Sequence, residues 1–233
     1  MGTDELRLDG VIFDFDGVIV DTEPLHWEAF RRMFSPEGLE ITWEHYLDRY
    51  LGFDDRDVFR AVYKDAGRDL PDEDLQGMIE RKAIVFEALV QERNPRPYAG
   101  VIDLIRHLEG DVPLALCSGA LKRDVEPILK NLRIAAAFNS SVTAEDVNAS
   151  KPDPESYILA IERLRLAFPR RELEASRCVA IEDTPAGIEA AAGAGLKVLA
   201  LCNTYPPDQL SRATRIVESL EGIVRKDLAS LSA

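Results

Sequence analysis

The run Val11-Ile12-Phe13-Asp14-Phe15-Asp16-Gly17-Val18 constrains this chain more than any other stretch. Its apolar start reads as a strand buried on both faces, as in a parallel sheet. It ends in two carboxylates, and open α/β sheets hold their ligands outside the carboxyl ends of the strands. In extended chain Asp14 and Asp16 project to one side, because strand side chains alternate with a period of two. Like charges that close are costly unless a cation lies between them, and Mg²⁺, a hard ion with oxygen ligands, is the natural neutraliser. A lone Asp-x-Asp is more often a solvated acidic turn, so downstream partners decide.

After this strand, Val20-Asp21-Thr22-Glu23-Pro24 reads as a helix start with proline in the first turn. From Leu25 to about Arg93 the pattern is helical, broken at Pro36-Glu37-Gly38, Leu51–Asp55 and Leu70-Pro71-Asp72. Met78 to Glu92 has the periodicity of a surface helix packed on its neighbours. Two prolines and a glycine in Asn94–Gly100 mark a hinge. Strands and helices then alternate as in βαβ units. The expected strands are Val112–Cys117, Phe138–Val142, Cys178–Ile181, Lys197–Cys202 and an edge strand Arg215–Glu218. The expected helices are Val101–Leu108, Leu121–Leu132, Pro154–Leu166 and Pro185–Ala194, with Pro127 awkward inside the second. The predicted fold is α/β: a Rossmann-like three-layer core with a parallel sheet, formed by residues 1–22 and 96–233, plus an all-helical cap domain inserted as residues 23–95.

Three further segments carry polar residues. Ser118-Gly119 offers a hydroxyl and an open backbone to phosphate oxygens, although alone it is an ordinary turn. Lys151-Pro152-Asp153-Pro154 holds an ammonium on a stiff backbone before a helix, where it either neutralises an anionic intermediate or simply sits at the surface. Glu182-Asp183-Thr184-Pro185 is a second acidic pair, which completes a hard-cation site with Asp14 and equally supplies a helix cap.

The formal net charge of -14 excludes the basic surface that nucleic acids and anionic membranes require. No apolar stretch is long enough to span a bilayer, and the first residues do not form a signal peptide. Cys117, Cys178 and Cys202 lie in or beside apolar runs, so buried free thiols in a reducing cytoplasm are expected, and no Cys/His group has zinc spacing. A monomer or weak dimer is expected.

The ordered set Asp14-Phe15-Asp16-Gly17-Val18, Ser118-Gly119, Lys151-Pro152 and Glu182-Asp183 with Gly187-Ile188 resembles the four motifs of the haloacid dehalogenase superfamily. The helical insertion resembles that of the subgroup containing phosphoglycolate phosphatase and β-phosphoglucomutase, and the likeness covers nearly the whole chain. It implies a Mg²⁺-dependent phosphatase acting on a small phosphorylated metabolite, such as a sugar phosphate. Asp14 is then the nucleophile and Asp16 the acid and base. The metal falls to Asp14, the backbone carbonyl of Asp16, Asp183 and Glu182, the last directly or through water. Ser118, Gly119 and Lys151 hold the phosphoryl group. The presence of Asp16 disfavours the dehalogenase branch, which lacks that residue. Lys82 is the helical lysine nearest to a Schiff-base role, with a solvated helix position as its plain alternative, and it also matches a cap lysine of phosphatases and mutases. His26 matches a position near the acid-base Asp in both. Mutases resemble one another in an Arg three residues after the cap-loop glycine; here that position after Gly52 is Asp55, with Arg56 next to it. A phosphomutase is therefore the alternative, and a non-catalytic binding protein a weaker one. Gly52–Arg56 is expected to be the loop that reaches the substrate.

Overall fold

The computed structural model describes residues 7–93 and 95–232. The apolar run forms β1 (Gly10–Phe13), buried at every residue. Among the described residues five strands join it: β2 (Leu114–Cys117), β3 (Ser140–Val142), β4 (Cys178–Glu182), β5 (Lys197–Leu201) and β6 (Arg215–Val217). All pairings are parallel, in the order β3-β2-β1-β4-β5-β6. The register sets Phe13 beside Leu116 of β2 and Ile181 of β4. The chain reverses its direction of travel across the sheet between β3 and β4, which makes the crevice outside β1 and β4 the switch point where such sheets bind ligands.

Alternation along the strands divides the core into two faces. Val11, Phe13, Leu114, Leu116, Val179 and Ile181 meet α5 (Val101–Leu108) and α6 (Lys122–Asn131). Ile12, Ala115, Cys117, Ala180 and Ala200 meet α7 (Glu155–Ala167) and α8 (Pro185–Gly193) on the other side. The result is the expected three-layer, Rossmann-like sandwich. A short helix, α9 (Arg225–Ala229), closes the first face.

Between β1 and α5 the described residues form four α-helices: α1 (Glu23–Phe34), α2 (Trp43–Arg49), α3 (Asp55–Asp65) and α4 (Asp72–Arg93). They enclose an aromatic cluster of their own, in which Phe59 meets Phe30 edge-on at 5.3 Å and Phe34 at 5.4 Å. The opposite edges of α1 and α4, through Leu25, Ala29, Phe86 and Leu89, join the apolar cluster of the sheet. Replacing fully buried Phe59 with Ala should therefore cost about 3–5 kcal/mol, read as a lower denaturation midpoint with an unchanged m value.

The two chain crossings to these helices run side by side: Val20 pairs antiparallel with Pro97, and the Tyr98 N–H donates to the Ile19 carbonyl at 3.0 Å. Asn94, within the expected hinge, lies outside the described residues.

Several expectations shift. The strand predicted from Val112 starts at Leu114, because Pro113 has no N–H to place in the ladder. Phe138 lies outside β3 and turns its ring edge-on to Phe13 at 5.9 Å. Pro127 does stand inside α6, which continues past the lost hydrogen bond because Val125, Ile128 and Leu129 are buried. Cys117 and Cys178 are buried and free, while Cys202 is only half-buried, just past the end of β5. The helix read as a surface element, α4, carries eight buried residues, and Lys82 is one of them with no exposed area. No helix among the described residues is long and apolar enough to cross a membrane.

Candidate active site

Four segments meet outside the carboxyl ends of β1, β2 and β4. Asp14 follows β1 and anchors its N–H on the Ile181 carbonyl at 3.0 Å. Ser118 and Gly119 follow β2, and the Ser118 hydroxyl accepts the Ala120 N–H at 3.0 Å. Glu182 ends β4 and Asp183 follows it. Thr184 then caps α8 by accepting the Gly187 N–H at 3.0 Å, so the capping reading of this motif holds beside the acidic one. Lys151 enters from the loop before α7.

Lys151 is the hub. Its ammonium donates to Asp14 Oδ1 at 2.6 Å, Glu182 Oε1 at 2.7 Å and the Cys117 carbonyl at 3.3 Å. Burial alone would depress its pKa, but Asp14 and Glu182 outweigh that and hold it well above the usual lysine value. Glu182 has no exposed surface. Its Oε1 also accepts the Tyr157 hydroxyl at 2.7 Å, and its Oε2 accepts the Asp183 N–H at 3.0 Å and the Thr184 N–H and hydroxyl at 3.3 and 3.2 Å. Both oxygens are thus committed within the protein, which makes Glu182 the anchor of Lys151. Gly187 is required beneath it, since a Cβ there would come within 1.9 Å of Glu182 Oε1.

Asp183 is bonded on one side only: Oδ2 accepts the Thr204 hydroxyl, while buried Oδ1 has no partner among the described residues. An unpartnered buried carboxylate oxygen is expensive. Asp14, Glu182 and Asp183 offer oxygens that all lie within 4.8 Å of one another. Burial first, then the Glu182 and Asp16 charges, push Asp14 up to about 8 despite Lys151, and burial with Asp14 and Glu182 pushes Asp183 well above the carboxylate range. One ammonium does not balance this group, and its donors are all hard oxygens, so the residues fit a Mg²⁺ ion. Gly17 presses against the same spot with φ +76°, and a Cβ on it would fall 1.8 Å from Asp183 Oδ2.

Asp16 differs. The chain bends at Phe15 and Asp16 bridges to Val20. Asp16 Oδ1 accepts the Thr22 hydroxyl and lies 3.7 Å from His26 Nε2. Burial would raise its pKa, yet the bonds from His26 and Thr22 prevail and leave it below the ordinary value. The side chain of Asp16 is therefore outside the three-carboxylate cluster, and only its backbone remains available to a shared cation.

Asp14, Asp16, Ser118, Gly119, Lys151 and Asp183 line one cavity, whose roof includes His26, Asp55 and Arg56. Arg56 is the most open of these, its side chain 37% exposed and its Nη2 3.6 Å from Asp54 Oδ2. The placement of Lys82 corrects its readings as a solvated helix position and as a lysine open to substrate. It neither meets solvent nor lines the cavity, because it is fixed behind the wall, 2.7 Å from His26 Nδ1 and 2.7 Å from Asp55 Oδ1, and flanked by the rings of Phe30 and Phe86. The loop Gly52–Arg56 does reach over the site, and Asp54 Oδ2 takes the Ser150 hydroxyl at 2.6 Å beside Lys151.

Sequence reasoning passed over Tyr46 and Tyr157, and read Thr22 and Glu23 only as a helix start. Thr204 opens the loop Thr204-Tyr205-Pro206-Pro207, which the sequence reads as a proline turn or as a border of the site; its bond to Asp183 supports the second and follows only from β5 lying beside β4. Tyr157 had a signal, six residues after Lys151 on a helix that starts at once.

Acidic strand ends at the switch point of a Rossmann-like sheet, gathered round a buried lysine and roofed by inserted helices, define a hydrolase architecture of the phosphate-handling kind. The chain belongs to the haloacid dehalogenase-like hydrolase family, which it matches over residues 11–201. A phosphorylated carbohydrates phosphatase of Thermotoga maritima is 32% identical over 192 residues, covering 82% of this chain and 83% of that one. The fructose-1-phosphate phosphatase YqaB of Escherichia coli is 27% identical over 191 residues, 82% of this chain and 94% of its own. The fold likewise matches the crystal structure of β-phosphoglucomutase from Clostridium difficile, with a TM-score of 0.84, 22% identity and 97% of each chain covered. The expectation of a phosphoric monoester hydrolase is borne out at this level.

Proposed function

We propose that this enzyme is a Mg²⁺-dependent phosphatase of a small phosphorylated carbohydrate, working through an aspartyl-phosphate on Asp14. The observation that carries the reading is the bridge of Lys151 between Asp14 and Glu182, directly beside the unpartnered Oδ1 of Asp183. The names of the bacterial relatives, one for phosphorylated carbohydrates and one for fructose 1-phosphate, support the substrate class.

In the first step an Asp14 carboxylate oxygen attacks phosphorus and the ester P–O bond breaks. The leaving oxygen takes a proton from Asp16, whose proton affinity rises when a phosphoryl dianion is brought beside it. In the second step Asp16 takes a proton from water, the water oxygen attacks phosphorus, and phosphate leaves with Asp14 restored. Lys151, Ser118 and the backbone at Gly119 hold the phosphoryl oxygens, and positioning with charge stabilisation supplies most of the rate. Asp14, Asp183 and the Asp16 carbonyl, with Glu182 behind them, would hold Mg²⁺, which when bound would supply positive charge against the phosphoryl group. Residues 23–95 act as a cap over a core of residues 1–22 and 96–233, excluding bulk water when closed over the ester. Arg56, on the loop that overhangs the site, contacts the substrate. Two buried free thiols suit a reducing cytoplasm.

The test is phosphate release from a panel of carbohydrate monophosphates with Mg²⁺ and with EDTA. Metal-dependent release from one or a few esters is expected. Conversion of β-glucose 1-phosphate to the 6-phosphate without free phosphate would make the enzyme a mutase instead.

The buried acids add a pH-dependent expectation. The folded pKa of Asp14, about 8, lies above its ordinary 3.8, so its contribution to stability is complete below the ordinary value and is lost as pH rises through about 8. Metal-free protein should therefore melt at lower temperature at pH 8 than at pH 5.5, and Mg²⁺ should raise the melting temperature more at pH 8. An equal Mg²⁺ increment at both pH values would contradict a metal site at Asp14.

A further inference from the structure

The cap end of the cavity is acidic where a site for a second anion would need a free cation. Lys82 is the one buried ammonium of that end among the described residues, and it is spent: it has no exposed area and pairs with Asp55 Oδ1 at 2.7 Å. Asp124, on α6 of the core, is 3% exposed with Oδ1 buried and unpartnered among the described residues, and burial pushes its carboxyl up to about 6 against the opposing pull of Lys82 and His26. Asp55 keeps its second oxygen, Oδ2, buried and without a partner among the described residues.

The N-terminus of α3, which points its free N–H groups at this loop, would otherwise attract an anion. Its own acids already occupy it: Asp54 is the cap and accepts the Asp57 N–H at 2.8 Å, with Asp55 and Asp57 in the first turn. Arg56, the remaining cation on the loop, stands at the rim with Asp54 Oδ2 at 3.6 Å. On the opposite wall Glu23 lines the cavity and takes the Tyr46 hydroxyl at 2.6 Å. The far end thus carries carboxylates in excess of free cations, which repels a second anion and tolerates hydroxyl or ammonium groups.

We infer that Asp55 is a specificity-determining residue that makes the enzyme select monophosphate esters of neutral or amino-bearing polyols and reject esters carrying a second phosphate or a carboxylate. This deepens the phosphatase reading and rests on it for which end of the substrate reacts. Binding, however, can be read without turnover.

The experiment is calorimetric titration of the Asp14→Asn protein with Mg²⁺ present, using matched esters: glucose 6-phosphate against 6-phosphogluconate, and fructose 6-phosphate against fructose 1,6-bisphosphate. The member of each pair without the second anionic group should bind about tenfold tighter or more, as expected when like charges oppose across a site. Adding Asp55→Asn should bring each pair toward parity, because Lys82 then carries an unbalanced charge. Equal affinities, a preference for the second anion, or no measurable binding of either glucose 6-phosphate or fructose 6-phosphate would overturn the inference. Selective binding beside a native enzyme that releases no phosphate would support it while removing the phosphatase reading, so the two failures are distinguishable.

Discussion

Asp14→Asn should lower kcat by about 10⁴-fold or more while leaving the fold intact, as loss of a covalent nucleophile does. Asparagine has nearly the same shape, and its amide oxygen can still accept from Lys151, which Glu182 also holds at 2.7 Å. The substitution removes a carboxylate from beside Glu182 and Asp183, a charge that the folded protein already disfavours. The melting temperature of metal-free protein should consequently be unchanged or higher at neutral pH, and its response to Mg²⁺ should shrink. Turnover near the native level in a well-folded variant would mean that water attacks the ester directly and that Asp14 is not the acceptor.

Lys151→Ala should damage both activity and stability, and so separates the two roles that its contacts imply. Losing the ammonium removes charge stabilisation of the transferring group, worth about 10²–10³-fold in kcat by analogy with a single oxyanion donor. It also strips Asp14 and Glu182 of their shared counter-charge. Breaking one partner out of a buried pair costs about 3–5 kcal/mol, and Glu182, with no exposed surface, cannot be rescued by solvent. Urea denaturation in EDTA should show this loss, and added Mg²⁺ should recover part of the stability but not the turnover. A variant as stable as the native protein would show that Tyr157 and the amides of Asp183 and Thr184 hold Glu182 unaided.

The parts of this site that were legible in the sequence lie at strand ends. An apolar run that stops in Asp14, Ser118 or Glu182-Asp183 shows both where the strand is and which end is polar, because a buried strand cannot carry those groups internally. Lys151 was legible because two prolines stiffen the loop that carries it. What stayed hidden depends on distant segments meeting. Lys82 sits in α4 like any helical lysine, and only the closure of α1 and α3 around it makes it buried and paired with residues 27 and 56 positions away. The same holds for Glu23 with Tyr46 and for Asp183 with Thr204. Strand limits moved by one or two residues where local chemistry intervened, at Pro113 and at Phe138, which prefers the Phe13 ring to the ladder.

The central claim, that Asp14 accepts the phosphoryl group, can be measured without knowing the substrate. Inorganic phosphate labelled with ¹⁸O, incubated with the enzyme in ordinary water, exchanges its oxygens each time Asp14 captures a phosphoryl group with loss of water and then returns it to unlabelled water. The account predicts stepwise loss of label with Mg²⁺, and none with EDTA or in Asp14→Asn. Exchange that persists in Asp14→Asn, or a native enzyme that releases phosphate from esters with Mg²⁺ yet never exchanges label, would contradict it.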